Sequence, residues 1–432
     1  MSFALHTLPW AHRANSASSS INSIDELLAS DDFNDQAPDL IKQELRDRIE
    51  ELTDRKGSSN KGREECLTSY IRILNSHYIA DALYGSVPDL ISSFSRSIKA
   101  ESSEKEAMLA LKALALTAIS ISDEKLYENS AAAVKRSITD SQSFPTKAAA
   151  IHCLGTCIAF GGAGEEEILE TLTFLLEIIT SDGNLVDAAD NAETVTAALR
   201  VYGFLATRIE DLENDSEEAI EAFLEQLDSS DPDVQIAAGE NIALLYEKSY
   251  TPQEEDETTS DIEEPEEGGD SSGDESGDLN LIKRYNAYHN TSEVIEKVSA
   301  LASLSTHKLN KRIKQLLHKS FASILTTVEN PRLGLRTNSA RGMRIKIYQS
   351  GEMDVDSWWK LMRLNALRRL LAGGFVNHYF EGNKQVLEML PIIIRQTGGT
   401  GSGMASPRKG GKDKPNKGKY RESRRFLDVP DS

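Results

Sequence analysis

Basic residues are the most chemically informative feature of this sequence. Between Thr306 and Lys346 the chain has ten lysines and arginines and a single acidic residue, Glu329. The ten are Lys308, Lys311, Arg312, Lys314, Lys319, Arg332, Arg336, Arg341, Arg344 and Lys346. Clustered cations of this kind neutralise nucleic-acid phosphates and release counterions, so binding weakens steeply as salt is added. We interpret these residues as a candidate RNA-binding surface, with a merely solvated helix face as the alternative.

A second group of basic residues lies near the C-terminal end. Nine lysines and arginines follow the glycine-rich stretch TGGTGSG. They are Arg408, Lys409, Lys412, Lys414, Lys417, Lys419, Arg421, Arg424 and Arg425. This composition predicts a tail that is disordered in isolation and can become ordered on an RNA. Two basic regions in one acidic protein favour polyanion binding over simple solvation.

The charge of the protein is divided unequally along the chain. The 432 residues carry a formal net charge of −21. Residues 1–280 contain 20 basic and 57 acidic residues, whereas residues 281–432 contain 28 and 12. Such asymmetry indicates either nucleic-acid binding by one part of the chain or two domains that attract each other. Composition leaves both interpretations open.

Catalytic and metal-binding signatures are not recognisable in this sequence. The stretch GGTGSGMASPRKGGKDK superficially suggests a phosphate-binding loop, but Lys412 is followed by Asp413 and no strand is predicted before it. Cys153 and Cys157 lie one helical turn apart beside His152, yet a metal site needs three or four ligands. We interpret both cysteines as buried thiols. We therefore predict a non-enzymatic protein with no metal, no cofactor and no small-molecule substrate.

Four helices between residues 62 and 250 share one pattern, which predicts a helical repeat. They align on Ala110, Ala150, Ala198 and Ala238, at intervals of 40, 48 and 40 residues. Two positions after these alanines stand Lys112, His152, Arg200 and Glu240. Five positions after them stand the small residues Ala115, Gly155, Gly203 and Ala243. The intervals are typical of HEAT and armadillo repeats.

The small residues of these helices indicate close packing between neighbours. Glycine inside a helix costs about 1 kcal/mol relative to alanine, so Gly155, Gly203 and Gly239 imply contacts that a methyl group would prevent. The polar position two residues after the aligned alanine should face a groove or the end of a neighbouring helix. The predicted fold is all-α: an armadillo/HEAT-like α-solenoid, a smaller and mainly helical C-terminal region, and a disordered basic tail.

Composition divides the chain into five segments. We predict a disordered N-terminus (1–37), an armadillo-like repeat domain (38–250), an acidic disordered linker (251–280), a basic and mainly helical domain (281–395) and a flexible tail (396–432). The linker has 13 acidic residues and no lysine or arginine. Its Ser271 and Ser272 are each followed three residues later by an acid, as an acid-directed kinase requires, but simple solvation of the acids is the favoured interpretation.

The basic domain is predicted to contain three helices and one short strand. Residues 306–330 are amphipathic, and residues 343–350 alternate like a strand. The stretch DSWWKLMRLNALRRLLAGG reads as a helix that Asp356 or Ser357 opens and Gly373 or Gly374 closes, and GNKQVLEMLP follows it as another helix. Its tryptophans, Trp358 and Trp359, are able to stack on bases. Their place in the first turn favours packing instead.

Three stretches resemble the interferon-related developmental regulator family. They are LDSSDPDVQIAAGENIALLYE, KRIKQLLHKSFASILTTVEN and IKIYQSGEMDVDSWWKLMRLNALRRLLAGGFVNHYFEGNKQVLEMLP. The resemblance covers roughly residues 60–395, and the long acidic linker suggests a divergent, fungal branch. It implies a non-enzymatic protein with an armadillo-like domain. It also implies one of two roles: binding to translationally inactive ribosomes, or transcriptional co-regulation through histone-deacetylase and transcription-factor complexes.

The leading functional hypothesis is a ribosome-binding protein that keeps idle ribosomes out of translation in the cytoplasm. The basic residues of both groups would then contact the rRNA backbone. The alternative is a nuclear scaffold that recruits chromatin or transcription factors as protein partners on the face of the helical repeat. Under either hypothesis the acidic linker is a candidate autoinhibitory segment. No membrane association is expected, since the most apolar window, AMLALKALALTAISI, is too short to span a bilayer.

Overall fold

The computed structural model describes residues 38–54, 57–121, 123–253, 281–303, 310–335, 343–347, 351–390 and 394–395. The N-terminal segment, the tail and nearly all of the acidic linker lie outside these ranges. So do Ser271, Ser272, Lys308, Arg336, Arg341 and the nine basic residues from Arg408 to Arg425. What the sequence predicts for these residues stays a prediction.

Helices dominate the described part of the chain. They begin with α1 (Pro38–Thr53), α2 (Asn60–Ser76), α3 (Ala80–Leu83), α4 (Val87–Ala100), α5 (Glu104–Ser120), α6 (Leu126–Asp140) and α7 (Phe144–Phe160). They continue with α8 (Glu165–Thr180), α9 (Ala192–Ala206), α10 (Glu213–Gln226), α11 (Pro232–Lys248), α12 (Thr291–Ala302) and α13 (Lys311–Glu329). A short 3-10 turn at Asn184–Val186 separates α8 from α9.

These helices stack in two rows. An inner row consists of α2, α5, α7, α9, α11 and α13, and each of its helices packs on the next. An outer row consists of α1, α4, α6, α8, α10 and α12, each packed on the inner helix that follows it in the chain. Because every helix pair contacts only its neighbours, the arrangement is an α-solenoid. The all-α repeat fold predicted from the sequence is confirmed.

Every inner helix begins at a polar cap. The side chains of Ser59, Ser103, Ser143, Asn191, Asp231 and Asn310 each accept a hydrogen bond from a backbone N–H of the first turn. Such residues satisfy N–H groups that have no partner inside the helix. Beyond the cap α5, α7 and α9 are buried on most sides, and in α5 all residues from Ala113 to Ser120 are buried. This pattern is that of a helix enclosed by neighbours.

The glycines of the inner row lie where another element approaches closely. A methyl group on Gly155 would stand 2.5 Å from Val201 of the next inner helix. On Gly239 it would stand 2.9 Å from the Phe321 ring of α13. On Gly203 it would meet the Met362 sulfur at 2.7 Å. The prediction that these glycines allow close contacts is confirmed.

The C-terminal part adds three helices and two small sheets. The helices are α14 (Trp358–Leu371), α15 (Phe375–Phe380) and α16 (Lys384–Met389), with 3-10 turns at Pro331–Leu333 and Ala372–Gly374. Strands β1 (Tyr250–Pro252) and β2 (Leu281–Lys283) pair antiparallel on either side of the acidic linker. Strands β3 (Met343–Ile347), β4 (Gly351–Val355) and β5 (Ile394–Arg395) form an antiparallel sheet in the order β3-β4-β5. The strand predicted within 343–350 is confirmed.

Helix α14 lies across the inner row. It contacts α2, α5, α9 and α11, while α15 packs on α2 and α16 packs on α5. The described residues on both sides of the acidic linker therefore belong to one compact unit. Among the described residues, no helix is both long enough and apolar enough to cross a membrane.

Candidate functional site

The first half of α13 presents basic side chains on one side and apolar side chains on the other. Lys311, Arg312 and Lys319 are exposed and Lys314 is half-buried. At 100° per residue these four lie within a sector of about 160°. The opposite side, which includes Leu317 and Ile324, is buried against α11. The structure thus brings four of the predicted RNA-binding residues together.

The remaining described members of the basic group lie elsewhere. Arg332 is exposed in the 3-10 turn after α13, about 28 Å along the helix from Lys311. Its guanidinium lies 5.7 Å from the centre of the Tyr250 ring. Arg344 and Lys346 lie on β3, where the backbone register pairs them with Asp354 and Glu352 of β4.

Several basic residues of α14 face the solenoid instead of solvent. The Arg363 guanidinium donates to the Thr207 backbone carbonyl at 2.7 Å and to its hydroxyl at 3.0 Å, at the C-terminal end of α9. Arg368 and Arg369 are partly buried, and burial lowers their pKa to about 10 and about 9, with Arg200 adding to the effect at Arg369. Part of the positive charge after residue 280 therefore lies against the repeat and not on the surface.

Charged side chains from the inner row hold both ends of α14. The Glu247 carboxylate accepts hydrogen bonds from the backbone N–H groups of Trp358 at 2.7 Å and Trp359 at 3.2 Å. At the other end the Lys112 ammonium donates to the carbonyls of Arg369, at 2.9 Å, and Leu370. A carboxylate at the N-terminus and a cation at the C-terminus both complement the helix dipole. At Lys112 the polar position of the repeat therefore faces the end of another helix, one of the two settings that the sequence predicts.

The two ends of α14 differ from the sequence-based expectation. Ser357 is the N-cap residue but makes no capping hydrogen bond with its side chain, because Glu247 supplies the acceptors. The predicted closure by Gly373 or Gly374 is wrong: the helix ends at Leu371, and Ala372 takes the positive φ of 49°. Gly374 has a helical φ of −66°, so it is not needed for a left-handed turn.

The two adjacent tryptophans have packing roles. Trp358 is 2% exposed, and its indole N–H donates to the Thr327 hydroxyl of α13 at 2.7 Å. Trp359 is half-buried, with the Arg363 guanidinium 4.9 Å and the Lys360 ammonium 5.4 Å from its ring. These contacts favour packing over base stacking for Trp358.

Polar side chains of α15 and α16 complete the ends of two inner helices. The buried His378 donates from Nε2 to the Leu74 carbonyl at 2.8 Å, and burial lowers its pKa to about 4. Its Nδ1 accepts from Asn383, which also donates to the Ile119 carbonyl at 3.0 Å. The last carbonyls of a helix have no partner inside it, so these residues satisfy α2 and α5 at once. Sequence reasoning missed this role.

Cys153 and Cys157 are buried free thiols, as interpreted, with their sulfur atoms 3.9 Å apart. Burial raises the pKa of the Cys153 thiol well above its ordinary value. In the part of the chain that the structure describes, no group of three or more histidine, cysteine or acidic side chains could hold a metal ion.

Comparison with known proteins identifies the relatives of this chain. The family model described as interferon-related developmental regulator (IFRD) matches residues 10–329. The chain belongs to the IFRD family. An uncharacterised protein of the fission yeast Schizosaccharomyces pombe is 27% identical over 340 residues, which cover 78% of this chain and 72% of that protein. This relative supports the expected placement as a divergent fungal member, and the family is regulatory and not known for enzymes.

The family match ends with the last residue of α13, the last inner helix. Residues 10–329 include the repeat and α13 but not α14 to α16. Both residues that hold the ends of α14, Lys112 and Glu247, lie inside the matched part. The IFRD-family repeat therefore provides the docking face for a helix outside the matched region.

Glu240, on the inner row beside Arg369, should make the protein less stable as the pH rises. Burial raises its pKa from 4.5 to about 7, although Arg200 and Arg369 oppose the shift. The folded state then holds a proton that the unfolded state has already lost, and the stability gained disappears as the pH rises through about 7. We expect Glu240→Gln to gain about 2–3 kcal/mol over the wild type between about pH 5 and pH 8, measured by urea unfolding.

Lys112 and Arg369 are present in both the wild type and the Glu240→Gln variant. The difference in stability between these two proteins therefore reports on Glu240. The matched control is Glu225→Gln, at an exposed position of α10. A difference between wild type and Glu240→Gln that stays constant across this pH range would contradict the expectation.

Proposed function

We propose that this IFRD-family protein binds ribosomes through its basic C-terminal region, contacts rRNA and holds the ribosomes translationally inactive in the cytoplasm. The observation that carries the proposal is the basic side of α13, where Lys311, Arg312 and Lys319 are exposed beside Lys314. Four cations on one helical face fit a phosphate backbone without requiring any base sequence. The basic tail from Arg408 to Arg425 would extend the same contact.

The distribution of acidic residues supports one orientation on RNA. Helix α10 of the outer row exposes Glu213, Asp215, Glu217, Glu218 and Glu221. These carboxylates would repel a phosphate backbone, and repulsion between like charges is strongest at low ionic strength. The protein would therefore approach RNA with α13 foremost and keep the outer row towards solvent or protein.

Loss of the exposed cations on α13 should weaken ribosome binding in a salt-dependent way. The variant Lys311→Gln/Arg312→Gln/Lys319→Gln removes three cations from the solvent side of the helix. Each lost phosphate contact lowers the slope of log K against log salt by about 0.7–0.9, so a flattening of about 2 is expected. Co-sedimentation with intact ribosomes in sucrose gradients at several salt concentrations measures it.

The matched control removes three exposed cations from the acidic part of the chain. Arg96, Lys99 and Lys125 are exposed on or next to outer helices, and replacing them by glutamine changes the net charge equally. Circular dichroism of both variants checks their folding. If the two triple variants showed the same salt slope as wild type, or if wild type were absent from ribosomal fractions at low salt, the proposal would fail.

The alternative, a nuclear co-regulator that recruits protein partners, is favoured by one separate observation. A cavity of about 330 Å³ between α8, α9 and α10 is lined by Glu177, Asp215 and Glu218 around an apolar floor that includes Leu176 and Tyr202. Such a surface suits a basic protein segment. The inner row, by contrast, is covered by α14. Nuclease treatment separates the two functions, since RNA-mediated association is lost and protein-mediated association persists.

A further inference from the structure

A cavity of about 60 Å³ lies where α14 crosses α5, α7 and α9. Its walls are mostly apolar and include Met108, Val201 and Phe204. Four basic side chains line it, each from a different helix: Lys112, His152, Arg200 and Arg369. Three of these occupy the polar position of the repeat, and the fourth comes from α14. The repeat pattern and the docking of α14 together create this cluster.

The N–H donors of this cluster are only partly used. The Lys112 ammonium is engaged with the carbonyl end of α14. Among the described residues, neither the Arg200 nor the Arg369 guanidinium donates a hydrogen bond, although the Asp233 carboxylate forms a long ion pair with Arg200 at 3.9 Å. The charge of Glu240 acts on both arginines. Two guanidinium groups thus line a largely apolar space with N–H donors that a ligand could use.

An anion between the two guanidinium groups would make this arrangement more favourable. Burying a charge without a hydrogen-bonding partner costs free energy, and two like charges in one apolar site increase that cost. The same physics lowers the pKa of Arg369, by burial and by the charge of Arg200. It lowers the pKa of His152 well below 6.5, through burial and then Arg369, Arg200 and Lys112, so the imidazole is neutral at pH 7 and has one N–H to donate.

We propose that this cavity binds a small oxyanion, a phosphate or a carboxylate, between the guanidinium groups of Arg200 and Arg369. Guanidinium groups bind both anions through two parallel N–H donors. A water takes up about 30 Å³ of liquid volume, so the space suits an anion of a few atoms. The Arg200 side chain is 23% exposed, which gives the anion a route from solvent.

A bound anion would link α14 to the repeat. Arg369 belongs to α14, whereas Arg200 and His152 belong to α9 and α7. The anion would compensate charges from three helices at once and would bind only when α14 is docked. Because a ligand that binds only the folded state stabilises it by mass action, the anion would strengthen the attachment of α14.

Titration calorimetry of the full-length protein with inorganic phosphate and with acetate tests this inference, in chloride buffers of matched ionic strength. We expect saturable binding of at least one anion to wild type, and at least tenfold weaker binding to both Arg369→Gln and Arg200→Gln. Binding of phosphate alone would indicate a tetrahedral ligand, and binding of acetate as well would include carboxylates. Arg96→Gln, at an exposed position of α4, should bind like wild type.

The inference fails if wild type shows no saturable binding of either anion, a result that does not depend on how the variants fold. It also fails if Arg369→Gln and Arg200→Gln bind with wild-type affinity. Thermal unfolding gives a second readout. Phosphate stabilises many proteins by exclusion from their surface, so a site-specific effect requires a larger rise in Tm for wild type than for the two cavity variants.

Discussion

Gly374→Ala is expected to detach the C-terminal helices from the repeat and to lower the free energy of unfolding by about 3 kcal/mol or more. The added methyl group would collide with the backbone carbonyl oxygen of Asn75 and stand 2.7 Å from its carbonyl carbon. A backbone group at the end of α2 cannot turn aside as a side chain can. The adjacent contacts, Asn377 to the Ser76 carbonyl at 2.9 Å and His378 to the Leu74 carbonyl, would be lost with it.

Gly62→Ala is the matched control for this substitution. Gly62 lies in α2 itself, and the nearest atom to an added methyl group is the Ser59 hydroxyl oxygen at 3.4 Å. Alanine is favoured over glycine inside a helix by about 1 kcal/mol, so this variant should be as stable as wild type or more stable. Urea unfolding of both variants decides the matter. Equal stability of Gly374→Ala and Gly62→Ala would show that the close approach to α2 is not needed.

The repeat could be predicted from the sequence because the small residues that mark it lie at fixed positions within single helices. Gly155, Gly203 and Gly239 recur in the helices where a neighbour approaches within van der Waals distance, and the interval matches one pair of helices. The polar caps that begin the inner helices, such as Ser103 and Asn191, are a further signal of the repeat in the sequence. Caps reveal helix starts because only a few residue types satisfy the first N–H groups.

The docking of α14 on the repeat could not be predicted from local sequence patterns. Lys112 and Leu370 are 258 positions apart, and nothing in the periodicity of either segment connects them. Net charge also overestimates the positive charge available to RNA, since Arg363 and Arg369 count as basic residues but lie against the repeat. Only the three-dimensional arrangement separates cations that hold the fold together from those on α13 that solvent, or RNA, can reach.

The burial of the Trp358 side chain predicts a second large effect. This side chain is buried between α13, α11 and the start of α14, and its N–H donates to Thr327, whose hydroxyl also bonds the Gly334 carbonyl at 2.6 Å. Removing a buried tryptophan side chain costs about 3–5 kcal/mol through lost burial and the cavity left behind. Trp358→Ala should therefore lower the free energy of unfolding by about 4 kcal/mol in urea titrations.

Two neighbouring substitutions separate burial from hydrogen bonding. Trp358→Phe keeps an aromatic ring but loses the N–H donor and part of the buried ring system, so about 2 kcal/mol should be lost. Trp359→Ala removes a half-buried ring and its contacts with Lys360 and Arg363, also at about 1 kcal/mol. Trp358→Ala should also reduce ribosome co-sedimentation, because α13 would lose the support that fixes its basic side. If Trp359→Ala were the more damaging of the two alanine variants, α14 would not be anchored by Trp358.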